Sequence, residues 1–149
     1  MIRLLYIGFR IYCFIFRPKT LGVRVMLIKN GEVLLVRQTY MSGWYMPGGG
    51  VKRGETVEEA VRREAYEEIG AQMGALNLIG TYTHFGENKS DHNVLFLCTD
   101  FTLNGKQDNE IAEARFFHLD ALPDGLLDGH RQRLKEYNAG GIIPQFGEW

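Results

Sequence analysis

Hydrophobic and polar residues alternate near the start of the chain in the pattern of a β-hairpin. Residues 23–27 place apolar side chains at every second position, which is the period of a half-buried strand. The pair Asn30 and Gly31 follows, and both residues tolerate the positive φ angles of a tight hairpin turn. Residues 32–39, which include the apolar run from Val33 to Val36, supply the return strand. The pattern therefore predicts two antiparallel strands joined by a short turn.

Further segments along the chain have the patterns of strands and helices. We expect strands over residues 76–85, 93–101 and 115–119, and helices over residues 57–69 and 128–138. Strands on both sides of one strong helix, with a second helix near the end, indicate helices packed on a mixed sheet. The sequence therefore predicts an α/β fold.

The helix predicted over residues 57–69 has a defined start and a defined end. Thr56 and Glu59 have the spacing of a capping box, in which each side chain accepts a hydrogen bond from the backbone of the other residue. Gly70 is a typical left-handed stop. Both signals place the helix boundaries within a residue or two.

Three glutamates of this helix lie on or beside its apolar face. At about 100° per residue, Glu64 and Glu68 fall inside the stripe formed by Val57 and Val61, and Glu67 borders that stripe. Unpaired carboxylates turned towards the protein body are costly or must take up protons. A hard divalent cation such as Mg²⁺, which prefers carboxylate oxygens, would compensate them. A buried salt-bridge network is the alternative explanation for carboxylates in this position.

The residues before the helix add a second pattern. The segment WYMPGGG at residues 44–50 leads through Glu55 into the helix, and the spacing is Gly49, five residues, Glu55, seven residues, then REAYEEIGA at residues 63–71. This arrangement resembles the signature of the Nudix hydrolases, a loop, helix and loop that holds Mg²⁺ against a pyrophosphate. Every charged and glycine position of that signature is filled, while two alanines replace its bulky aliphatic residues.

The resemblance implies a Nudix-type α/β/α sandwich with a mixed β-sheet. It extends beyond the signature and covers residues 21–138. We accordingly divide the chain into an N-terminal helix, residues 1–20, and a Nudix hydrolase domain, residues 21–149.

The resemblance also implies roles for individual residues. The metal ligands would be the carbonyl of Gly48 and the carboxylates of Glu64, Glu67 and Glu68, completed by an acidic residue from a later loop. Glu110 is the first choice for that residue and Glu113 the second. Glu64 and Glu67 are also candidates for activating the attacking water. Arg63 would orient the glutamates by ion pairing, and Glu55 would support the site from the loop before the helix.

Four residues are candidates for contacting the substrate. Trp44 and Tyr45, beside the glycines, and Phe85, at a strand end, carry rings that could stack on a base. Arg37 could pair with a phosphate in bidentate fashion. Core packing accounts for the three rings equally well, and an exposed position on a strand accounts for Arg37.

The reaction implied by the resemblance is Mg²⁺-dependent hydrolysis of a pyrophosphate bond, with Mn²⁺ as a substitute. The substrate would be a nucleoside diphosphate derivative or a nucleoside triphosphate, and a product would be a nucleoside monophosphate. Additional motifs of ADP-ribose, NADH and coenzyme A enzymes are missing, so the substrate stays at class level. The alternative is a Nudix-like module that binds a nucleotide without cleaving it, but such a module would be expected to lose signature glutamates.

Composition narrows the class of partner. The chain has 149 residues, the size of a single domain, and a formal net charge of −1. It therefore has no overall field that would recruit a nucleic acid polymer, which favours a small-molecule nucleotide. Cys13 and Cys98 are too few for a disulfide scaffold and lack metal-ligand spacing. We expect both to be buried free thiols in a reducing cytoplasm.

Residues 1–17 form an apolar segment with an arginine at every seventh position. On a helix Arg3, Arg10 and Arg17 make one basic stripe, although the β-branched content leaves a strand open. Arg10 interrupts the apolar run, which argues against a secretory signal and a membrane span. We expect a helix that packs on the domain or on a partner subunit, as in a homodimer. Peripheral contact with a membrane is the alternative.

Overall fold

The computed structural model describes residues 2–16, 19–86, 88–105, 107–140 and 143–149. In chain order the elements are α1 (Ile2–Phe16), β1 (Lys19–Lys29), β2 (Glu32–Gln38), α2 (Val57–Ile69), β3 (Ala71–Met73), β4 (Asn77–Gly86), β5 (Lys89–Cys98), β6 (Phe101–Leu103), β7 (Ile111–His118), α3 (Asp128–Asn138) and β8 (Phe146–Glu148). Both internal helices have the predicted bounds. The hairpin is also confirmed, with φ angles of 53° at Asn30 and 78° at Gly31 in its turn.

Six of the strands form one mixed sheet in the order β7-β2-β1-β5-β4-β8. Strand β1 runs parallel to β5, and β4 runs parallel to β8, whereas the other neighbours are antiparallel. Strands β3 and β6 make a separate antiparallel pair. The predicted mixed sheet is therefore confirmed.

Strands β1 and β2 pair only near their turn, and the glycine-containing segment fills the gap between them. The register pairs Ile28 with Val33 and Lys29 with Glu32. Further along, the N–H of Val23 donates to the carbonyl of Gly49 at 2.9 Å. On the other side, the N–H of Val36 donates to the carbonyl of Tyr45 at 2.9 Å. Residues 44–50 are therefore held by the backbones of two strands.

Two hydrophobic cores lie on opposite faces of the sheet. One face packs against α2 through Val61, Ala65 and Ile69, together with inward residues of β1, β2 and β5. The other face packs against α3 through Leu134, together with Met26, Leu35 and Leu95 of the sheet. The sheet is thus enclosed between two helices, which is the α/β/α arrangement expected from the sequence.

Several boundaries differ from the sequence-based expectation. Strand β5 begins at Lys89 instead of residue 93, because its polar first residues pair with β1 and β4. Strand β7 begins at Ile111 instead of residue 115. Strand β1 begins at Lys19, so the sheet starts two residues before the expected domain boundary at residue 21. The three-residue strands β3, β6 and β8 were not predicted, since three residues are too few to show an alternating period.

Helix α1 forms as predicted, but its own domain covers little of its apolar surface. The Tyr6 ring lies 6.3 Å from the Tyr40 ring, and the Lys89 amine lies 5.7 Å from the centre of the Phe9 ring. Among the described residues, no helix is long and apolar enough to cross a membrane. Cys98 is a buried free thiol as expected, whereas the side chain of Cys13 lies outside the described part of the structure.

Candidate active site

The start and end of α2 follow the predicted capping pattern. The Glu59 N–H donates to the Thr56 hydroxyl at 3.2 Å, and the Thr56 N–H donates to the Glu59 carboxylate at 2.8 Å. Gly70 ends the helix with a φ of 64°. Both ends are therefore tied by local contacts, which sets the rotation of the helix and the direction of its glutamates.

Glu68 is the most deeply buried of the three glutamates, as its place on the apolar face predicted. It is 8% exposed, and one carboxylate oxygen accepts a hydrogen bond of 3.0 Å from the Gly48 N–H. Burial raises the pKa of this carboxyl to about 7, and the charges of Glu64 and Glu110 add to the rise, while Arg24 opposes it. The structure therefore contains a buried acidic group that lacks full compensation.

Arg63 gathers the remaining carboxylates of the signature. Its Nε donates to Glu55 at 2.6 Å, and its Nη1 donates to Glu64 at 2.7 Å and to Glu67 at 3.1 Å. Its Nη2 donates to Glu55 and to the carbonyl of Gly50. The bond from Arg63 lowers the pKa of Glu55 to about 2. Arg63 thus occupies the centre of an ion-paired cluster, as the resemblance implied.

Two of the glycines approach neighbouring atoms closely, and at Gly48 the neighbouring atoms belong to the backbone of β1. Gly48 has a φ of +141°, and a Cβ at this position would overlap the carbonyl oxygen of Val23. A Cβ at Gly49 would lie 2.5 Å from the carboxylate carbon of Glu64. The absence of side chains therefore lets residues 48 and 49 pass between strand β1 and the glutamates of α2.

These residues line one cavity of about 340 Å³. Its lining contains every proposed metal ligand and Arg63, namely Gly48, Arg63, Glu64, Glu67, Glu68 and Glu110. It also contains residues for which we had predicted no role, namely Gln38, Tyr40, Gly49, Gly50, Lys52 and Asp108. Glu55 contacts the cluster through Arg63 instead of lining the cavity. The structure thus brings the predicted acidic residues together.

The donor atoms of this cavity fit a hard divalent cation, because they are carboxylate and carbonyl oxygens. In the arrangement described, Arg63 binds Glu64 and Glu67, and Glu68 accepts from the Gly48 N–H. Within the described residues, no three His, Cys, Asp or Glu side chains converge closely enough to enclose an ion. An ion would therefore require small rotations of these carboxylates.

Sequence reasoning missed Arg24 and Tyr40. The Arg24 Nη1 donates to the carbonyls of Gly48 and Met46, at 2.8 and 3.2 Å. A single arginine between the apolar residues of β1 was the available signal. Tyr40 follows β2 and faces the cavity, where burial first and Glu110 second raise the pKa of its hydroxyl. Nothing in its local sequence marked Tyr40.

The four predicted substrate contacts lie outside the lining of this cavity. Trp44 and Tyr45 are 8% and 4% exposed and belong to the hydrophobic cores, because burying their rings stabilises the fold. Arg37 pairs with Glu113 on the neighbouring strand at 2.8 Å. Phe85 is 66% exposed and borders a different, open cavity. Packing and ion pairing account for the first three residues.

Comparison with known proteins shows one consistent relationship. The model of the NUDIX domain matches residues 18–138. An ADP-ribose pyrophosphatase of Methanocaldococcus jannaschii is 32% identical over 114 residues, which are 73% of this chain and 67% of the relative. An RNA pyrophosphohydrolase of Tolumonas auensis is 42% identical over 66 residues, which are 44% of this chain and only 37% of the relative.

Solved structures agree with the sequence matches. A MutT NUDIX hydrolase from Burkholderia pseudomallei superposes with a TM-score of 0.72 at 25% identity, covering 78% of this chain and 96% of the other. A MutT protein from Methanosarcina mazei Go1 superposes with a TM-score of 0.74 at 23% identity, covering 84% and 96%. The similarity to the Methanosarcina mazei protein shows a shared fold.

Proposed function

Because this chain belongs to the Nudix hydrolase family, we propose that it hydrolyses a pyrophosphate bond in a nucleoside diphosphate derivative or a nucleoside triphosphate. The products would include a nucleoside monophosphate, and the cofactor would be Mg²⁺, with Mn²⁺ as a substitute. The observation that carries this proposal is the placement of Glu64, Glu67 and Glu68 on one cavity wall, ordered by Arg63 and by the Gly48 N–H.

The carboxylates of Glu64, Glu67, Glu68 and Glu110, together with the carbonyl of Gly48, would hold the ion. A bound divalent ion neutralises phosphoryl oxygens and lowers the pKa of a coordinated water. Glu68 suits a cation because burial already raises its pKa to about 7, so a positive charge beside it would stabilise the ionised carboxylate.

The other residues of the cluster position the ligands. Arg63 holds Glu64 and Glu67 on the same side of α2, and Glu55 holds the Arg63 guanidinium from the preceding loop. Arg24 donates to the carbonyl of Gly48 and so limits where that oxygen can point. These contacts keep the carboxylates on one side of the cavity, which limits the reorganisation that ion binding requires.

The substrate class is supported by the relatives and by the size of the cavity. ADP-ribose is one candidate because a relative that matches 73% of this chain is named ADP-ribose pyrophosphatase, although the additional motif of ADP-ribose enzymes is missing here. The volume of about 340 Å³ falls within the range of small-molecule sites. A 5′-triphosphate end of RNA is a second candidate, because relatives that match 44% and 47% of this chain are named RNA pyrophosphohydrolase, although the net charge of −1 favours a small nucleotide.

The test is a substrate panel with the purified chain in Mg²⁺ or in EDTA. The panel contains ADP-ribose, NADH, coenzyme A, nucleoside triphosphates and a short 5′-triphosphorylated RNA. ADP-ribose and NADH are scored by phosphate released after alkaline phosphatase. Coenzyme A is scored by chromatography of the 3′,5′-ADP product, because alkaline phosphatase removes its 3′-phosphate directly. Triphosphates are scored by phosphate released after inorganic pyrophosphatase, because alkaline phosphatase attacks them directly as well. The Glu64→Gln, Glu67→Gln double variant controls for contaminating activity.

We expect turnover of at least one substrate in Mg²⁺, loss of turnover in EDTA and loss in the double variant. Nucleotide binding by calorimetry without turnover of any panel member would contradict the proposal. That result would favour the non-catalytic binding module instead.

A further inference from the structure

Helix α1 exposes large apolar side chains along most of its length. Eight of them are more than 40% exposed, namely Leu5, Ile7, Phe9, Ile11, Tyr12, Phe14, Ile15 and Phe16. Single exposed apolar residues are ordinary, but a continuous row of this kind marks a surface that contacts a partner or a membrane. Nothing in the proposed hydrolysis uses this surface.

The contacts of α1 with the domain show which side of the helix faces outward. Tyr6 lies against Tyr40, and Phe9 lies beneath the Lys89 amine. At about 100° per residue, these two aromatic residues occupy one side of the helix. The side turned away from them, which we term the outward face, consists of Ile7, Ile11, Phe14 and Ile15.

The charge of α1 is entirely positive. Between residues 2 and 16 the only charged residues are Arg3 and Arg10, and the segment has no acidic residue. Arg10 is exposed and lies about 40° around the helix from Phe14, so it borders the outward face. Lys19, just after the helix, is also exposed. The complementary partner would therefore be apolar and carry negative charge at its rim.

A second copy of this chain fits that description poorly. Pairing two outward faces would bring the Arg10 residues of two helices onto one apolar surface, with no carboxylate on either helix to compensate them. A bilayer with anionic headgroups supplies both requirements, since acyl chains receive the apolar residues and phosphates receive the arginine.

We propose that the outward face of α1 docks this protein on an anionic lipid bilayer, with the helix lying in the plane of the interface. Ile7, Ile11, Phe14 and Ile15 enter the boundary between headgroups and acyl chains. Arg10 extends to the headgroup phosphates. The domain stays on the aqueous side, because Tyr6 and Phe9 hold it against the opposite side of the helix.

The test is co-sedimentation of the full chain with vesicles of phosphatidylcholine alone or mixed with phosphatidylserine, at low and high salt. We expect binding to the mixed vesicles that weakens at high salt and is weaker still on phosphatidylcholine alone. The double variant Ile11→Glu, Phe14→Glu should bind mixed vesicles about tenfold or more weakly, because two apolar anchors are replaced by charges. Arg10→Glu should lose the preference for phosphatidylserine.

The matched control is Leu78→Glu. Leu78 is 65% exposed and lies at the start of β4, whereas Lys89, which contacts α1, begins β5 beyond the other end of that strand. The Leu78→Glu variant should bind vesicles as the parent does. Thermal melts confirm that each variant is folded, and light scattering gives the oligomeric state without lipid.

Three results would overturn the proposal. The parent does not bind mixed vesicles, or the double variant Ile11→Glu, Phe14→Glu binds them as the parent does, or Leu78→Glu loses as much vesicle binding as the double variant. A parent dimer that becomes monomeric in Ile11→Glu, Phe14→Glu would also overturn it, and would identify a second copy as the occupant. None of these results depends on hydrolytic activity.

Discussion

The backbone N–H of Gly48 donates a hydrogen bond of 3.0 Å to the carboxylate of Glu68. On the other side of the same residue, Arg24 donates to the Gly48 carbonyl at 2.8 Å. Residue 48 is therefore tied to helix α2 by its N–H and to strand β1 by its carbonyl. A residue without a side chain is needed there, because the neighbouring Val23 carbonyl leaves no room for a Cβ.

A methyl group at position 48 should therefore destabilise the fold. We expect Gly48→Ala to lower the free energy of unfolding by more than about 2 kcal/mol, through the positive φ angle and the overlap with strand β1. Gly50→Ala is the matched control, since a Cβ at Gly50 meets no atom within 4 Å. Urea denaturation of both variants measures the difference. Equal, small losses would contradict the required close approach.

Removal of the shared guanidinium should impair the site more than the fold. Arg63→Ala leaves Glu55, Glu64 and Glu67 without their common donor, so we expect turnover to fall by about 10 to 100-fold. Arg53→Ala, an exposed arginine in the preceding turn, should keep parental turnover. Steady-state kinetics of both variants in Mg²⁺ provide the comparison. An Arg63→Ala variant as active as Arg53→Ala would remove the positioning role.

The pH dependence of stability should contain a contribution from His130. This residue is 2% exposed, its Nδ1 accepts from the Met46 N–H at 3.1 Å, and burial holds its pKa well below the usual range. Below pH of about 6.5 the unfolded chain takes up a proton that the folded protein refuses, so stability is lost as pH falls. The slope approaches about 1.4 kcal/mol per pH unit.

The difference between parent and His130→Gln isolates that contribution, because the carboxylates are the same in both proteins. We expect the variant to lose less stability than the parent between pH 7 and pH 5 in chemical denaturation. His118→Gln is the control, since His118 is exposed. Parallel curves for parent and His130→Gln would show that the buried imidazole does not resist protonation.

Local patterns predicted the bounds of α2 and the burial of Glu68 because the information lies within the segment. The Thr56 and Glu59 cap, the Gly70 stop and the turn of about 100° per residue together place Glu68 inside the protein. The hairpin at Asn30 was equally readable, because its turn depends on two adjacent residues.

Contacts between residues that are distant in the sequence could not be predicted from local patterns. The role of Arg24 depends on residues 44–50 lying between β1 and β2, and that insertion leaves no periodic trace in the sequence. Tyr40 lines the cavity beside Glu68 and Glu110, which are distant from it in the sequence. For Trp44 and Tyr45 the local sequence was misleading. Their position beside the glycines suggested contact with a ligand, whereas the two hydrophobic cores bury both rings.

Neutralising Glu68 should have opposite effects on stability with and without metal. Burial raises its pKa from 4.5 to about 7, so the metal-free parent loses stability as pH rises through this window, by up to about 3 kcal/mol. Above pH 7, Glu68→Gln should therefore be as stable as the parent or more so. Saturating Mg²⁺ should stabilise the parent, and it should stabilise the variant less. Melting curves with and without Mg²⁺ measure both effects.

A structural ion pair at Glu68 predicts a different outcome. Removing one partner of a buried pair would cost about 3 to 5 kcal/mol whether or not Mg²⁺ is present. A metal-independent loss of that size in Glu68→Gln would contradict a ligand role.

The rate of hydrolysis as a function of free Mg²⁺ shows whether the glutamates of α2 support metal-dependent hydrolysis. The measurement compares the parent with Glu68→Gln on the best substrate of the panel. We predict that the parent rises from no turnover to saturation, whereas the variant needs more Mg²⁺ and reaches a lower maximum. A parent active in EDTA would contradict metal-dependent hydrolysis, and a Glu68→Gln curve that coincides with the parental curve would contradict a ligand role for Glu68.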